Sequence, residues 1–392
     1  MPKIKGSRLK PLLHKRRATG HSPCAYNRPM RLPMMPASLL LVVLLGGCAT
    51  TGTPMQASVD ALMRDYTGDV PGAAVLVLRD GQPLLRRGYG LADLETGTPV
   101  TPDTNFRLAS VSKQFTAAAI LLLAEDGKLS LDDPVRKWLP SLPASDDAIT
   151  LRHLLTHASG LIDYEDLMAP DATGQDTLDQ VHDIDVLHLL EGEDRLYFAP
   201  GTGYRYSNGA YALLALVVGK ASGQDFATFL RERIFKPLGM DGTVAYENGI
   251  STVARRAYGH SLVDGRWVRT DQSSTSAVLG DGGIYSSIDD LARWDAALYD
   301  DRLLSDAMRA DAFTLHNPIH DEADVDGYGY GWRIHGEVLW HSGETIGGRN
   351  VIIRWPQRHL TVVVLTNRND PEPYRLAMKI AALYLPAAPA HD

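Results

Sequence analysis

A serine, a lysine and a tyrosine at separate points of this chain have the chemistry to make and break an acyl bond. Ser110-Val111-Ser112-Lys113 heads an apolar stretch, and a helix there puts Ser110 and Lys113 one turn apart on the same face. A serine hydroxyl is a weak nucleophile until a base takes its proton. A lysine in water is a poor base, because with a pKa of about 10.4 only about one molecule in 2,500 is neutral at pH 7. Apolar burial and the positive end of a helix both favour a neutral amine. Phe115, Ala117, Ala118, Ile120 and Leu121 supply such surroundings. The spacing alone is weak, since Ser7-Arg8-Leu9-Lys10 repeats it. An N-capping serine followed by a snorkelling lysine would leave the same letters.

Tyr206-Ser207-Asn208 closes a turn-rich run, residues 199–209, that leads straight into an apolar helix. A phenol beside a lysine can pass a proton between a serine and a leaving group. The Asn208 amide can hold a substrate carbonyl or orient the lysine. Tyr246-Glu247-Asn248 has the same spacing without the Pro-Gly lead, and Tyr206 by itself is also readable as a half-buried loop tyrosine. His341-Ser342-Gly343 ends a predicted strand, where a glycine permits close approach and backbone N–H groups can face an oxyanion. An ordinary turn at a strand end would look the same. His153 and His157 are spaced i, i+4, as zinc ligands on one helical face would be. No acidic residue lies between them and no third ligand is evident, so structural histidines are the reading and no metal is expected. Nucleophile elbows, Walker A loops and dinucleotide turns are absent from the sequence, so no cofactor is expected.

These residues need a scaffold. Strand-like runs at 73–79 and 84–89 flank Asp80-Gly81, a strong type I′ hairpin signal. Further strands are predicted at 328–335, 338–341, 349–355 and 360–367. Helices are predicted at 59–66, 111–124, 151–157, 210–221, 225–235, 288–299 and 374–385, with Ser287 and Asp290 as a capping pair. Strands at both ends and helices between them predict an α+β fold. An antiparallel sheet is built from both termini (about 59–125 and 285–388) and flanked by helices, with a mostly helical region, about 126–284, inserted. A groove between two such parts suits an active site.

In order, the three motifs resemble those of the serine β-lactamase and penicillin-binding-protein superfamily, most closely its class C-like branch, which also holds esterases and D-amino-acid peptidases. Residues 106–115, 153–161 and 280–287 resemble the same branch, and the likeness runs from about 59 to 385. The resemblance implies a β-lactamase/transpeptidase-like fold with Ser110 as acylated nucleophile, Lys113 as its activator and Tyr206 as general base and later acid. It further implies Asn208, His341, Ser342 and Gly343 at the substrate, His341 in the cationic position, and an oxyanion hole from the backbone N–H groups of Ser110 and Glu344. Lysine is usual where His341 stands in true β-lactamases, and Glu344 puts a carboxylate where a small residue is common. Both departures argue against strong recognition of a substrate carboxylate. A serine hydrolase acting on esters or amides is expected; the alternatives are a D,D-peptidase or weak β-lactamase, and a non-catalytic envelope-binding module.

The 392 residues are 44% hydrophobic and 22% charged with two cysteines, which excludes disordered, collagenous and disulfide-scaffold classes. Nine Lys and Arg and no acidic residue lie in 1–47, so the remainder carries 30 basic against 47 acidic residues. Such an acidic body is a poor binder of nucleic acid. Residues 30–47 have the positive start and short apolar run of a secretory signal. Their end, Leu45-Gly46-Gly47-Cys48, resembles a bacterial lipobox, which implies lipid on Cys48, a membrane tether over 48–58 and a periplasmic face in a Gram-negative host. Residues 1–29 fit no part of a signal and are expected to be a non-structural extension.

Overall fold

The computed structural model describes residues 54–168 and 180–386. Cys48 and the signal-like segment lie outside them. Among the described residues, eight strands form one antiparallel sheet: β1 (Ala73–Arg79), β2 (Gln82–Tyr89), β3 (Asn317–Pro318), β4 (Gly327–Tyr328), β5 (Arg333–His335), β6 (Val338–Thr345), β7 (Gly348–Trp355) and β8 (Leu360–Thr366). Their spatial order is β3-β4-β5-β6-β7-β8-β1-β2. The amino-terminal hairpin thus adds to the carboxy-terminal meander where β1 pairs with β8, Val75 opposite Val364. The β1–β2 turn is as predicted: Asp80 and Gly81 have φ of 51° and 70°, the positive pair a type I′ turn requires.

Both faces of the sheet are covered. Ala73, Val75 and Val77 of β1 join one apolar layer with Val59 and Ile380, while Ala74, Leu76 and Leu78 join the other with Ile120 and Leu213. Burial on two sides explains why these strands read as continuous apolar runs and not as alternations. The helices that concern the site are α1 (Pro54–Leu62), α2 (Lys113–Glu125), α3 (Leu151–Leu155), α4 (Asn208–Ser222), α5 (Leu279–Gly282), α6 (Ile288–Ala297) and α7 (Tyr374–Tyr384). Every residue of α2 from Lys113 to Leu123 is buried. The pair Arg354–Asp295, almost without exposure, pins α6 to β7; removing one partner of such a pair typically costs about 3–5 kcal/mol.

Four local expectations are corrected. The helix at the amino end begins at Pro54, so the tether expected over 48–58 is helical from residue 54; proline needs no N–H partner in a first turn. The run 328–335 is two strands, because Gly331 at φ +79° and the Gly329 N–H to Trp332 carbonyl bond turn the chain between β4 and β5. His341-Ser342-Gly343 lies within β6, which continues to Thr345. Finally α3 stops at Leu155 and His157 is left-handed at φ +56°, so His153 and His157 do not share a helical face. The inserted stretch also holds strand structure, including the hairpin His260–Val263 with Arg266–Arg269.

Candidate active site

Ser110 sits in a 3-10 turn, Ala109–Ser112, that feeds α2. Three residues per turn bring side chains at i and i+3 into register, and Lys113 Nζ lies 3.1 Å from Ser110 Oγ. Neither alternative for this motif survives. The side chain of Ser112, the residue before α2, makes no capping bond, and Lys113 is fully buried where a snorkelling lysine would reach solvent. Ala109 precedes the nucleophile at φ +48°, a left-handed conformation that costs a non-glycine residue about 1–2 kcal/mol. Close packing imposes it: a Cβ on Gly343 would stand 2.0 Å from the Leu108 carbonyl oxygen, and one on Gly282 3.4 Å from the Ala109 Cα. Gly343 thus lets strand β6 close on the nucleophile turn, while Gly282 of α5 packs against it at ordinary contact distance.

Lys113 Nζ also donates to Asn208 Oδ1 (2.7 Å) and to the Asp281 carbonyl (3.0 Å). These acceptors match the three N–H bonds of an ammonium group. Asn208 is the first residue of α4, whose cap is the Ser207 side chain accepting from Ala210 N–H. Its own amide is fixed at the other end, Nδ2 donating to Glu165 Oε1, and its backbone N–H donates to Asp163. Asn208 therefore orients the lysine. The Tyr206 ring centre lies 4.9 Å from Lys113 Nζ and 5.6 Å from the Arg333 guanidinium. Its hydroxyl is buried and has no hydrogen-bond partner among the described residues.

His341 is buried, with Nδ1 against the Ser342 carbonyl and Nε2 2.8 Å from the Tyr328 hydroxyl. A carbonyl only accepts, so Nδ1 carries the proton and Nε2 accepts from tyrosine. Burial, with Arg333 and Lys113 nearby, pushes its pKa well below 6.5, so the third-motif position holds a neutral ring, in the direction that histidine in place of lysine implied. Ser342 alternates to the opposite face of β6 from His341 and Gly343. The Glu344 carboxylate is paired with Arg349, so it is not the uncompensated charge that the sequence suggested.

Ser110 opens on a cavity of about 130 Å³ lined also by Arg107, Glu165, Asn208, Ser273, Asp281 and Glu344. Tyr206, His341 and Ser342 do not line it. A larger cavity of about 640 Å³ is lined by Leu216, Phe226 and Leu279 but by no residue of the three motifs. The smaller one holds the nucleophile, and the chemistry is therefore assigned there.

The Beta-lactamase family model matches residues 57–385. The chain belongs to the β-lactamase family. Similar proteins include penicillin-binding protein 4* of Bacillus subtilis, 33% identical over 79% of this chain and 71% of that protein. D-aminopeptidase of Gluconobacter oxydans is 30% identical over 84% of this chain and 61% of that protein; the chain thus spans about three-fifths of that relative. Among solved structures, the octameric penicillin-binding protein homologue from Pyrococcus abyssi superposes with a TM-score of 0.73 at 28% identity, covering 84% of this chain and 76% of that one. The fold is that of the family, and the protein is a serine hydrolase.

In this β-lactamase-family site, sequence reading missed Glu165, Asp163, Arg333 and Asp281 as parts of the machinery. No motif marks the first three, which reach the site only through folding. Asp281 lay within the recognised stretch 280–287, but nothing in the letters said that its carbonyl would hold Lys113. Its carboxyl is buried and accepts from the Tyr164 hydroxyl. Burial pushes it up to about 8, against the opposing pull of Lys113 and with help from Asp183 and Glu165. A carboxyl that holds its proton more tightly folded than unfolded stabilises the native state at low pH. That stability drains away as pH rises from about 4 to about 8, by a total on the order of a few kcal/mol. Asp281→Asn, which mimics the protonated group, should flatten the pH dependence of the melting temperature between pH 5 and 8 and raise it at pH 8. Parallel melting curves for the two proteins across that range would remove Asp281 as the source.

Proposed function

We propose that this protein is an exported, lipid-anchored serine hydrolase that opens ester or amide bonds through an acyl-enzyme on Ser110. The observation that carries the reading is the bonded set Ser110–Lys113–Asn208 with the Tyr206 ring centre 4.9 Å from Lys113 Nζ. Ser110 Oγ attacks the substrate carbonyl while its proton passes to Tyr206 acting as the phenolate, with the cations Lys113 and Arg333 beside the ring. The backbone N–H groups of Ser110 and Glu344 receive the oxyanion. Tyr206 returns the proton to the leaving oxygen or nitrogen as the carbon–heteroatom bond breaks. Water then attacks the ester on Ser110 and gives a proton to the Tyr206 phenolate, which passes it to Ser110 Oγ as the acyl–oxygen bond breaks, releasing the acid and restoring the starting enzyme. Anchoring rests on the signal-like segment 30–47 and Cys48.

Substrate charge follows from the cations. Lys113 spends its donors internally, His341 is neutral, and Arg349 is held by Glu344. Among the described residues the third motif itself therefore presents no free cation to a substrate carboxylate, and the cation that does line the cavity, Arg107, comes from before the nucleophile turn and donates to the Ser276 carbonyl. Uncharged esters, and D-amino-acid substrates of the kind that the D-aminopeptidase relative's name gives, are therefore favoured over penicillins. Intact-mass spectrometry after incubation with p-nitrophenyl esters, D-amino-acid amides, D-Ala-D-Ala peptides and benzylpenicillin tests this. We expect an acyl adduct from the esters, absent in Ser110→Ala, and penicillin labelling slower by about a hundredfold, a gap of about 2.7 kcal/mol. Rapid penicillin or D-Ala-D-Ala acylation would favour the peptidase or β-lactamase reading instead. Labelling of nothing would favour a silent binding module.

A further inference from the structure

Tyr206 stands on a loop, and a loop side chain that does chemistry needs something to hold it. We infer that His157 is the positioning residue of Tyr206, gripping the chain on both sides of it. The His157 carbonyl accepts the Arg205 N–H at 3.1 Å. Its ring Nδ1 accepts the Ser207 N–H, also at 3.1 Å. The two peptide N–H groups that bracket Tyr206 thus end on one residue. The same ring packs on the Tyr206 ring, centroids 4.3 Å apart, and is enclosed by Tyr328 at 4.5 Å and Tyr211 at 5.2 Å.

The backbone of His157 is itself shaped for this. Its left-handed φ of +56° turns the chain after α3, so that carbonyl and ring address the same loop. Neighbouring residues extend the grip: Gly201 N–H donates to the Ala158 carbonyl and Tyr197 N–H to the Gly160 carbonyl. Gly160 is obligatory at that contact, where a Cβ would meet the Phe198 carbonyl oxygen at 2.1 Å. Because Nδ1 accepts, the proton sits on Nε2. Burial, then the cations Lys113 and Arg333 and the neighbouring His341, push the ring's pKa well below 6.5, so the acceptor is kept through the physiological range. A positioning group of this kind matters because a displacement of about 1 Å at a catalytic oxygen can cost about a hundredfold in rate.

The inference rests on Tyr206 being the general base, and the test separates the two. Asparagine carries an acceptor where Nδ1 stands and tolerates positive φ, whereas phenylalanine keeps the ring and loses the acceptor. Steady-state hydrolysis of p-nitrophenyl butyrate is measured for His157→Asn, His157→Phe, Tyr206→Phe and the double variant Tyr206→Phe/His157→Phe, with melting temperatures recorded. We expect His157→Asn within about threefold of the parent. His157→Phe should lose about 30- to 100-fold in kcat with KM within about threefold, and the double variant should fall no more than about twofold below Tyr206→Phe. Should the phenylalanine variant not fold, His157→Gly, which accepts the backbone angle, takes its place in both backgrounds. Losses that multiply in the double variant, or a folded His157→Asn as slow as His157→Phe, overturn the positioning role while leaving Tyr206 as base. Tyr206→Phe at the parent rate overturns the base reading and the inference with it.

Discussion

Lys113→Ala should abolish acylation while leaving the fold standing. The lysine lies 3.1 Å from the Ser110 hydroxyl and joins it to Asn208 and to the Asp281 carbonyl, so its loss removes the nucleophile's activating partner. Proton-transfer partners contribute about 10²–10⁴-fold, and the loss of the lysine also frees the Asn208 amide, so we expect at least about 10³-fold in the rate of ester labelling. Stability should move far less. A fully buried ammonium is costly to desolvate, and trading it for alanine removes that cost along with its hydrogen bonds. A melting temperature within about 5 °C of the parent is expected, with rate and melting measured on the same preparation. A folded variant that acylates at the parent rate would remove Lys113 from the chemistry.

Gly343→Ala should have the next largest effect, by a different route. One added methyl group at this position of β6 meets the Leu108 carbonyl at 2.0 Å, a separation at which backbone must move. Strand β6 is held by β7 through a register that pairs Gly343 with Asn350, and Asn350 Nδ2 donates to the Arg107 carbonyl just before the nucleophile turn. Strain therefore falls on the gap between β6 and Ser110, which is also where the proposed oxyanion site lies. Overpacking of this kind typically costs about 1–3 kcal/mol of stability, and a displaced oxyanion donor costs about 10²–10³-fold in kcat. We expect both losses together, checked by chemical denaturation and ester turnover. A variant with parent activity would show that the contact is softer than the packing implies.

Much of this was legible before folding. The Asp80-Gly81 hairpin and the strand-rich ends needed only local rules, because a type I′ turn and a run of β-branched residues declare themselves within a few positions. The buried helix α2 was visible for the same reason, being apolar on every face. Boundaries were less so: the break between β4 and β5 depends on Gly331 adopting a positive φ, and a Gly-Tyr-Gly-Trp run is compatible with a strand until tertiary contacts choose otherwise. The weak positive field of His341 was legible from the residue type but its cause was not, because a histidine's charge depends on what surrounds it. Three residues of sequence contain neither Tyr328 nor the burial that makes the ring neutral.

By itself the sequence determined which groups are available, a serine and lysine three residues apart, a tyrosine ahead of a helix and a glycine in a strand, along with the alternating and continuous apolar patterns that specify sheet and helix. Those are properties of near neighbours, and near neighbours are what a linear pattern records. Only the tertiary structure decided which groups meet: that Asn208 and the Asp281 carbonyl close on Lys113, and that His157 faces tyrosines and not a metal. Such contacts join residues up to about 170 positions apart, and their energies depend on burial and mutual distance, quantities that exist only once the chain has closed around them.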